Sequence, residues 1–194
     1  IEVFRNGIDL NVFRPLNALS SNKLFRVLAV SNVWNNDKGF NDILQLRKLL
    51  SDSFELIMVG LTEKQVKKLP NGITGLERTQ NVEELVKLYS SANVFINPTY
   101  ADTFPTVNLE ALACGTPVVT YRTGGSPEAV DEKTGVVIEQ GDVSALAHAI
   151  ENICKGDQTY YTDVCRERAL NYFNKDDRFM DYVLLYNDLL RENS

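Results

Sequence analysis

Residues 93–121 read NVFINPTYADTFPTVNLEALACGTPVVTY, and their pattern decides the fold. Asn93–Asn97 is a short apolar run stopped by Pro98, as a buried strand requires. A polar loop follows, and then a helix over about Thr106–Ala113. Gly115 fits the left-handed position just past that helix, with Pro117 behind it as expected after a stop. Pro117–Tyr121 (PVVTY) is again apolar and β-branched, a second strand. A strand joined to its successor through a helix is a parallel crossover.

The same alternation runs outward in both directions. Upstream, Phe25–Ser31 (FRVLAVS) is a strand, and Phe40, Ile43, Leu44 and Leu50 fall on one helical face. Phe54–Gly60 (FELIMVG) is the next strand, and Thr62–Leu69 is predicted helical, with Pro70-Asn71-Gly72 as its breaker. Ile73–Leu76 predicts a short strand, and Val82, Leu85, Val86 and Tyr89 an amphipathic helix. Downstream come a strand at Gly135–Ile138 and helices over Val143–Ile153, Tyr160–Tyr172 and a stretch carrying Phe179, Tyr182, Val183, Tyr186, Leu189 and Leu190. Strands rich in Val, Ile and Leu, each followed by a helix, predict an α/β class protein. Its parallel sheet is covered on both faces by right-handed crossovers, a doubly wound, Rossmann-like domain. Ligands of such sheets bind beyond the C-terminal strand ends, so the loops after Ser31, Gly60, Asn97 and Tyr121 are the places to search. Residues 1–15 hold the turn signal Asn6-Gly7 and read as an inter-domain linker leading into a domain over residues 16–175. Residues 176–194 form a separate C-terminal helix.

Composition narrows the function. A net charge of −6, from 26 acidic and 20 basic residues, disfavours a nucleic-acid binder. A few backbone N–H groups and one lysine still suffice to hold a small anion. No apolar run reaches the ~18 residues of a membrane span, so the chain is expected to be cytoplasmic. Cys114, Cys154 and Cys165 lack metal-type spacing and read as reduced, buried thiols. His148, the one histidine, lies in a predicted helix away from every strand-end loop and reads as structural.

Three constellations remain. Asp102 and Glu110 are separated by seven residues, one in the loop after a strand and the other about one turn into the following helix. Both can face a ligand at the helix N-terminus, where unpaired N–H groups favour anions and Glu110 can accept from vicinal hydroxyls such as those of a ribose. The plainer reading makes Asp102 a solvated loop charge and Glu110 a helix acid; spacing leaves both open. In Ser31–Gly39 (SNVWNNDKG), Lys38 is placed to reach a phosphate over the sheet edge and Gly39 to let the backbone approach it, or Lys38 is a turn lysine. Trp34 in the same loop either stacks on a ligand or covers the core edge. In Gly124-Gly125-Ser126-Pro127-Glu128, Ser126 as N-cap and Pro127 at the first position make a helix start. The two glycines ahead either permit the turn or direct N–H groups at a phosphate. The chain contains neither GxGxxG nor GxxxxGK[ST], which removes support for ordinary dinucleotide binding and P-loop hydrolysis.

Together these pieces resemble the C-terminal domain of the large retaining glycosyltransferase family 4, which has the GT-B fold. The resemblance covers nearly the whole chain: NGID with Phe13 and Pro15, then DKGF, Val59-Gly60, and Asn97–Gly125 followed by SPE. LEALACGTPVV with GG-x-PE at this distance is its most specific part. It implies that Glu110 holds a donor ribose, that Asp102 lies beside the donor sugar and reacting carbon, and that Thr103, Phe104, Pro105 and Thr106 line the sugar and diphosphate. It further implies that Lys38 neutralises the diphosphate and that Arg78 and Thr79 sit against the base. Asn32 stands where many members have an arginine; it donates a hydrogen bond but carries no charge. Asp102 is one methylene shorter than the usual Glu, and Pro105 replaces the usual Gly and has no N–H.

The implied function is transfer, with retention, of a sugar from a UDP- or GDP-sugar to a glycan or lipid-linked acceptor. No cofactor or metal is required, and a missing N-terminal domain acts as partner. The C-terminal helix would return toward that domain, and the full-length protein would associate peripherally with a membrane. A nucleotide-sugar epimerase of similar architecture and a non-catalytic nucleotide-sugar-binding module are the alternatives. The chain alone is expected to be inactive.

Overall fold

The computed structural model describes residues 5–16 and 24–192. The first four residues of the expected linker and the last two of the expected C-terminal helix lie outside the described residues. Six parallel strands form one sheet: β1 (Phe25–Val30), β2 (Phe54–Val59), β3 (Ile73–Leu76), β4 (Val94–Asn97), β5 (Val118–Tyr121) and β6 (Gly135–Ile138), in the order β3-β2-β1-β4-β5-β6. The chain builds outward from β1 to one side, then returns to its other side at β4. That reversal leaves a crevice beyond the C-terminal ends of β1 and β4, the place where such sheets bind ligands.

Alternation along each strand divides the core into two layers. Val27, Ala29, Leu56, Met58, Ile96 and Val119 face one layer, which α1 (Phe40–Leu49) and α5 (Val143–Lys155) cover with Ile43, Leu46, Leu146 and Ile150. Leu28, Ile57, Phe95 and Val118 face the other, covered by α3 (Val82–Ser91), α4 (Thr106–Ala113) and α6 (Gln158–Tyr172). The helix expected over Thr62–Leu69 is shorter: α2 is Glu63–Val66, started by a reciprocal Thr62–Gln65 capping box. Gly115 has φ 81°, the left-handed stop expected after α4.

The N-terminal segment is stitched to the end of α6. Ile8 and Leu10 are buried, Ile8 donates its N–H to Phe173 O (2.8 Å), and Arg166 donates to the carbonyls of Leu10, Phe13 and Ala113. The last helix, α7 (Lys175–Glu192), leaves Phe179, Leu184 and Tyr186 exposed.

Candidate functional site

Where β1 and β4 part, the loops that follow them enclose a cleft of about 410 Å³. From the β1 side it is lined by Val30, Ser31, Asn32, Val33, Asn35 and Lys38, and from the β4 side by Asn97, Asp102, Phe104, Pro105, Thr106 and Val107. Lys38 closes a 3-10 turn over Asn36–Lys38, capped by Asn35, whose side chain accepts from Lys38 N. Its Nζ donates to Asp102 Oδ2 at 2.8 Å and to Ala101 O at 3.1 Å. Two residues 64 apart in sequence thus meet across the crevice.

The pair is only partly buried, with side chains 31% and 22% exposed. Such a pair contributes about 0.2–1 kcal/mol. A diphosphate oxygen accepting from the ammonium is worth roughly 1.5–3 kcal/mol, so an anion in the cleft can take Lys38 from Asp102. The first turn of α4 opens on the same cleft through Thr106 and Val107. Pro105 occupies its cap position, and no side chain caps the first turn there.

The glycines act differently from the phosphate-facing reading. Gly39 (φ 72°) makes its close approach to Pro98, whose carbonyl oxygen would lie 2.2 Å from an added Cβ. Gly124 (φ 46°) passes as close to Asp102 O, and Gly125 N donates to Thr103 O at 2.7 Å. The Gly125 N–H is therefore spent on the acidic loop, residues 98–105 with Asp102, and the glycine pair clamps the backbone at Asp102 and Thr103. Ser126 is not an N-cap either. Its N–H closes a turn on Thr123 O, so it lies inside the 3-10 turn Ser126–Ala129 behind Gly125, and its buried hydroxyl has no hydrogen-bond partner among the described residues. Trp34 is settled as a core-edge residue: it is buried, and its indole N–H donates to Val59 O at 2.8 Å.

The structure thus brings Asn32, Lys38, Asp102, Phe104, Pro105 and Thr106 to one cleft. Thr103 is exposed next to Asp102 and does not line the cleft, its carbonyl held by Gly125. Arg78 and Thr79 line a separate depression with Gln80, beyond β3. Glu110 is half-buried on α4 and accepts from the Tyr89 hydroxyl at 2.9 Å. Burial pushes the Glu110 carboxyl above its ordinary value, while the Tyr89 hydrogen bond pulls it back down. Burial pushes all three thiols up, Cys114 and Cys154 to about 12, which removes them as nucleophiles. His148 is exposed on α5. Among the described residues no group of His, Cys, Asp and Glu is placed to hold a metal ion, and no helix is long and apolar enough to cross a membrane. Sequence reasoning passed over Asn97 as a lining residue. A polar residue ending an otherwise apolar strand was the available signal.

Comparison with known proteins identifies the family. The family described as glycosyl transferases group 1 matches residues 25–155. Over 206 residues the chain is 26% identical to a capsular polysaccharide biosynthesis glycosyltransferase of Staphylococcus aureus, covering 97% of this chain and 54% of that protein. A D-inositol 3-phosphate glycosyltransferase of a Mycobacterium species (strain KMS) is 43% identical over 75 residues, 38% of this chain and 17% of that one. Among solved structures, a sucrose-phosphate synthase of Thermosynechococcus elongatus superposes with a TM-score of 0.84 at 25% identity, covering 98% of this chain and 53% of that one. The chain therefore spans about half the length of the relatives that it matches along its whole extent.

Proposed function

Because this chain belongs to the glycosyl transferases group 1 family, we propose that its cleft holds a UDP- or GDP-sugar and that the complete enzyme transfers the sugar, with retention, to a glycan or lipid-linked acceptor. The observation that carries this reading is the meeting of Lys38 and Asp102 at the mouth of the β1–β4 crevice, beside the start of α4. As the bond from the anomeric carbon to the diphosphate breaks, negative charge gathers on the leaving oxygens. Lys38 and the α4 N–H groups stabilise that charge without a resident metal. Asp102, released from Lys38, then stands beside the donor sugar, and Glu110 holds the ribose with the oxygen not engaged by Tyr89. Arg78 and Thr79 sit against the base.

The relative's role in capsular polysaccharide biosynthesis supports a growing glycan as acceptor. A second half of the enzyme positions that acceptor, and the exposed Phe179, Leu184 and Tyr186 of α7 supply an apolar surface turned to it. Residues 1–194 alone then bind donor but transfer sugar only at background. Positioning worth up to about 7–11 kcal/mol is absent without the other half. The full-length protein works in the cytoplasm, peripherally at a membrane.

Thermal shift and calorimetry with UDP, GDP and their sugars test the reading. A ligand binding only the folded state at a hundredfold excess over Kd stabilises it by about 2.7 kcal/mol. Stabilisation by none of them overturns the proposal. A non-catalytic binding module is the second reading, favoured by the uncharged Asn32 and the donor-less Pro105 at the cleft. Acceptor-dependent turnover by the full-length protein separates the two, and isomerisation of donor without acceptor would instead indicate an epimerase.

A further inference from the structure

Asp42, in the first turn of α1, is a carboxylate only 7% exposed, and one of its oxygens, Oδ2, accepts from two hydroxyls: Tyr100 at 2.7 Å and Tyr121 at 2.7 Å. Burying a carboxylate is costly unless it is well hydrogen-bonded, so its partners locate what it holds in place. Tyr121 ends β5 and is fully buried; Tyr100 lies in the acidic loop, two residues before Asp102. The two rings pack edge to face with centroids 5.5 Å apart, and Gly141 leaves room for the Tyr100 hydroxyl. The loop is also tied to the lysine turn by Tyr100 N donating to Asp37 O at 2.7 Å. Lys38 and Asp42 thus stand on one segment, Tyr100 and Asp102 on the other, and beside the backbone ties two side-chain pairs, Lys38–Asp102 and Asp42–Tyr100, link them.

The cross-links differ in what a ligand does to them. The Lys38–Asp102 pair is partly open to solvent and must part when an anion takes Lys38. Neither Asp42 nor Tyr100 lines the cleft that would hold that anion. We propose that Asp42 is a positioning residue, which acts through Tyr100 and Tyr121 to keep the acidic loop in register with Lys38 once a diphosphate has displaced Asp102. The proposal rests on the donor reading above.

Tyr100→Phe keeps the ring and removes the hydroxyl, on a residue exposed enough to leave the fold intact. Asp42→Ala removes the acceptor, and Asp42→Asn restores an oxygen at the same place. Titration of UDP against uridine, and GDP against guanosine, reads the affinity that the diphosphate adds. Tyr100→Phe and Asp42→Ala are expected to lower that increment about tenfold, and Asp42→Asn to recover most of it. Amide exchange at Tyr100, with and without nucleotide, is expected to quicken in the first two variants, most with nucleotide bound. An unchanged increment in folded Tyr100→Phe, with native exchange at Tyr100, overturns the proposal. Should the wild-type chain bind neither diphosphate, the donor reading fails, and exchange in the free protein alone decides whether Asp42 anchors the loop.

Discussion

At one end of the expected donor site Lys38 and Asp102 touch across the β1–β4 crevice, whereas at the other Arg78 and Thr79 line their own depression and Glu110 is turned to Tyr89. The first end is assembled by topology. Strands β1 and β4 are hydrogen-bonded neighbours, so the loops leaving them must meet, and glycine contacts at Pro98 and Asp102 fasten them there. The second end draws on β3, at the sheet edge, and on a helix face that already has a partner. On the proposed donor reading, the residues of the diphosphate end already stand together in the free protein, while those for the ribose and base lie apart.

The largest expected effect tests the assembled end. Lys38→Ala should weaken nucleoside diphosphate binding by about 1.5–3 kcal/mol, the range for a hydrogen bond to a charged group, and leave the bare nucleoside unaffected. Equal losses for both ligands, measured by calorimetry, would remove Lys38 from the diphosphate and dissolve the contrast between the two ends.

Next in size is the clamp behind that end. At Gly124, φ is 46° and an added Cβ would lie 1.9 Å from Asp102 O. Gly124→Ala must shift the backbone or hold a left-handed alanine against it, at about 1–3 kcal/mol. Denaturant unfolding should show the loss, and diphosphate affinity should fall with it because Asp102 moves. An unchanged midpoint would show that the loop is held without the glycine.

Most strands were legible in sequence as apolar runs closed by a turn signal, β3 (ITGL) more faintly because Gly75 interrupts it, and α4 because Gly115 and Pro117 punctuate its end. Lys38 and Asp102 were legible as candidates, but not their contact: nothing local in residues 31–39 points to a carboxylate 64 positions on, and strand order alone brings them together. Tyr89 and Tyr100 were read as a helix-face residue and a loop residue, since a hydroxyl's partner in another element leaves no periodic trace. Ser126 misled for the opposite reason. Its local cap pattern was good, but Gly125 (φ −86°, ψ 4°) lacks the extended geometry that precedes a helix, so the turn begins one residue early.

The occupied end gives a prediction of intermediate size. Glu110→Ala should erase a preference of about 1 kcal/mol for a ribonucleotide over its 2′-deoxy analogue, the worth of one hydrogen bond. The same carboxyl makes stability depend on pH. Its folded value is raised by burial above the ordinary 4.5, so the folded state holds the proton more tightly. Stability from this group is full below 4.5 and declines as pH rises through the folded value. Tyr89→Phe removes the bond that lowers that value and should move the decline to higher pH; Glu110→Gln should abolish it. Melting temperatures across pH decide, and identical profiles for all three proteins would show that Glu110 does not titrate against its burial.

The smallest effect concerns a residue at the assembled end that carries no charge. Asn32 is exposed at the cleft, on the loop that also carries Lys38. An arginine there adds a guanidinium beside the diphosphate, but an exposed one, screened by solvent and costly to immobilise. Asn32→Arg should therefore tighten nucleoside diphosphate binding by only about 0.2–1 kcal/mol, and the gain should shrink as salt is added. The bare nucleoside should bind as before, since Asn32 lies on the β1 side of the cleft and away from Arg78 and Thr79. Weaker diphosphate binding would mean that the new charge competes with Lys38 for Asp102 more than it serves the ligand. The assembled end would then be tuned to a single cation, with Asn32 part of that tuning.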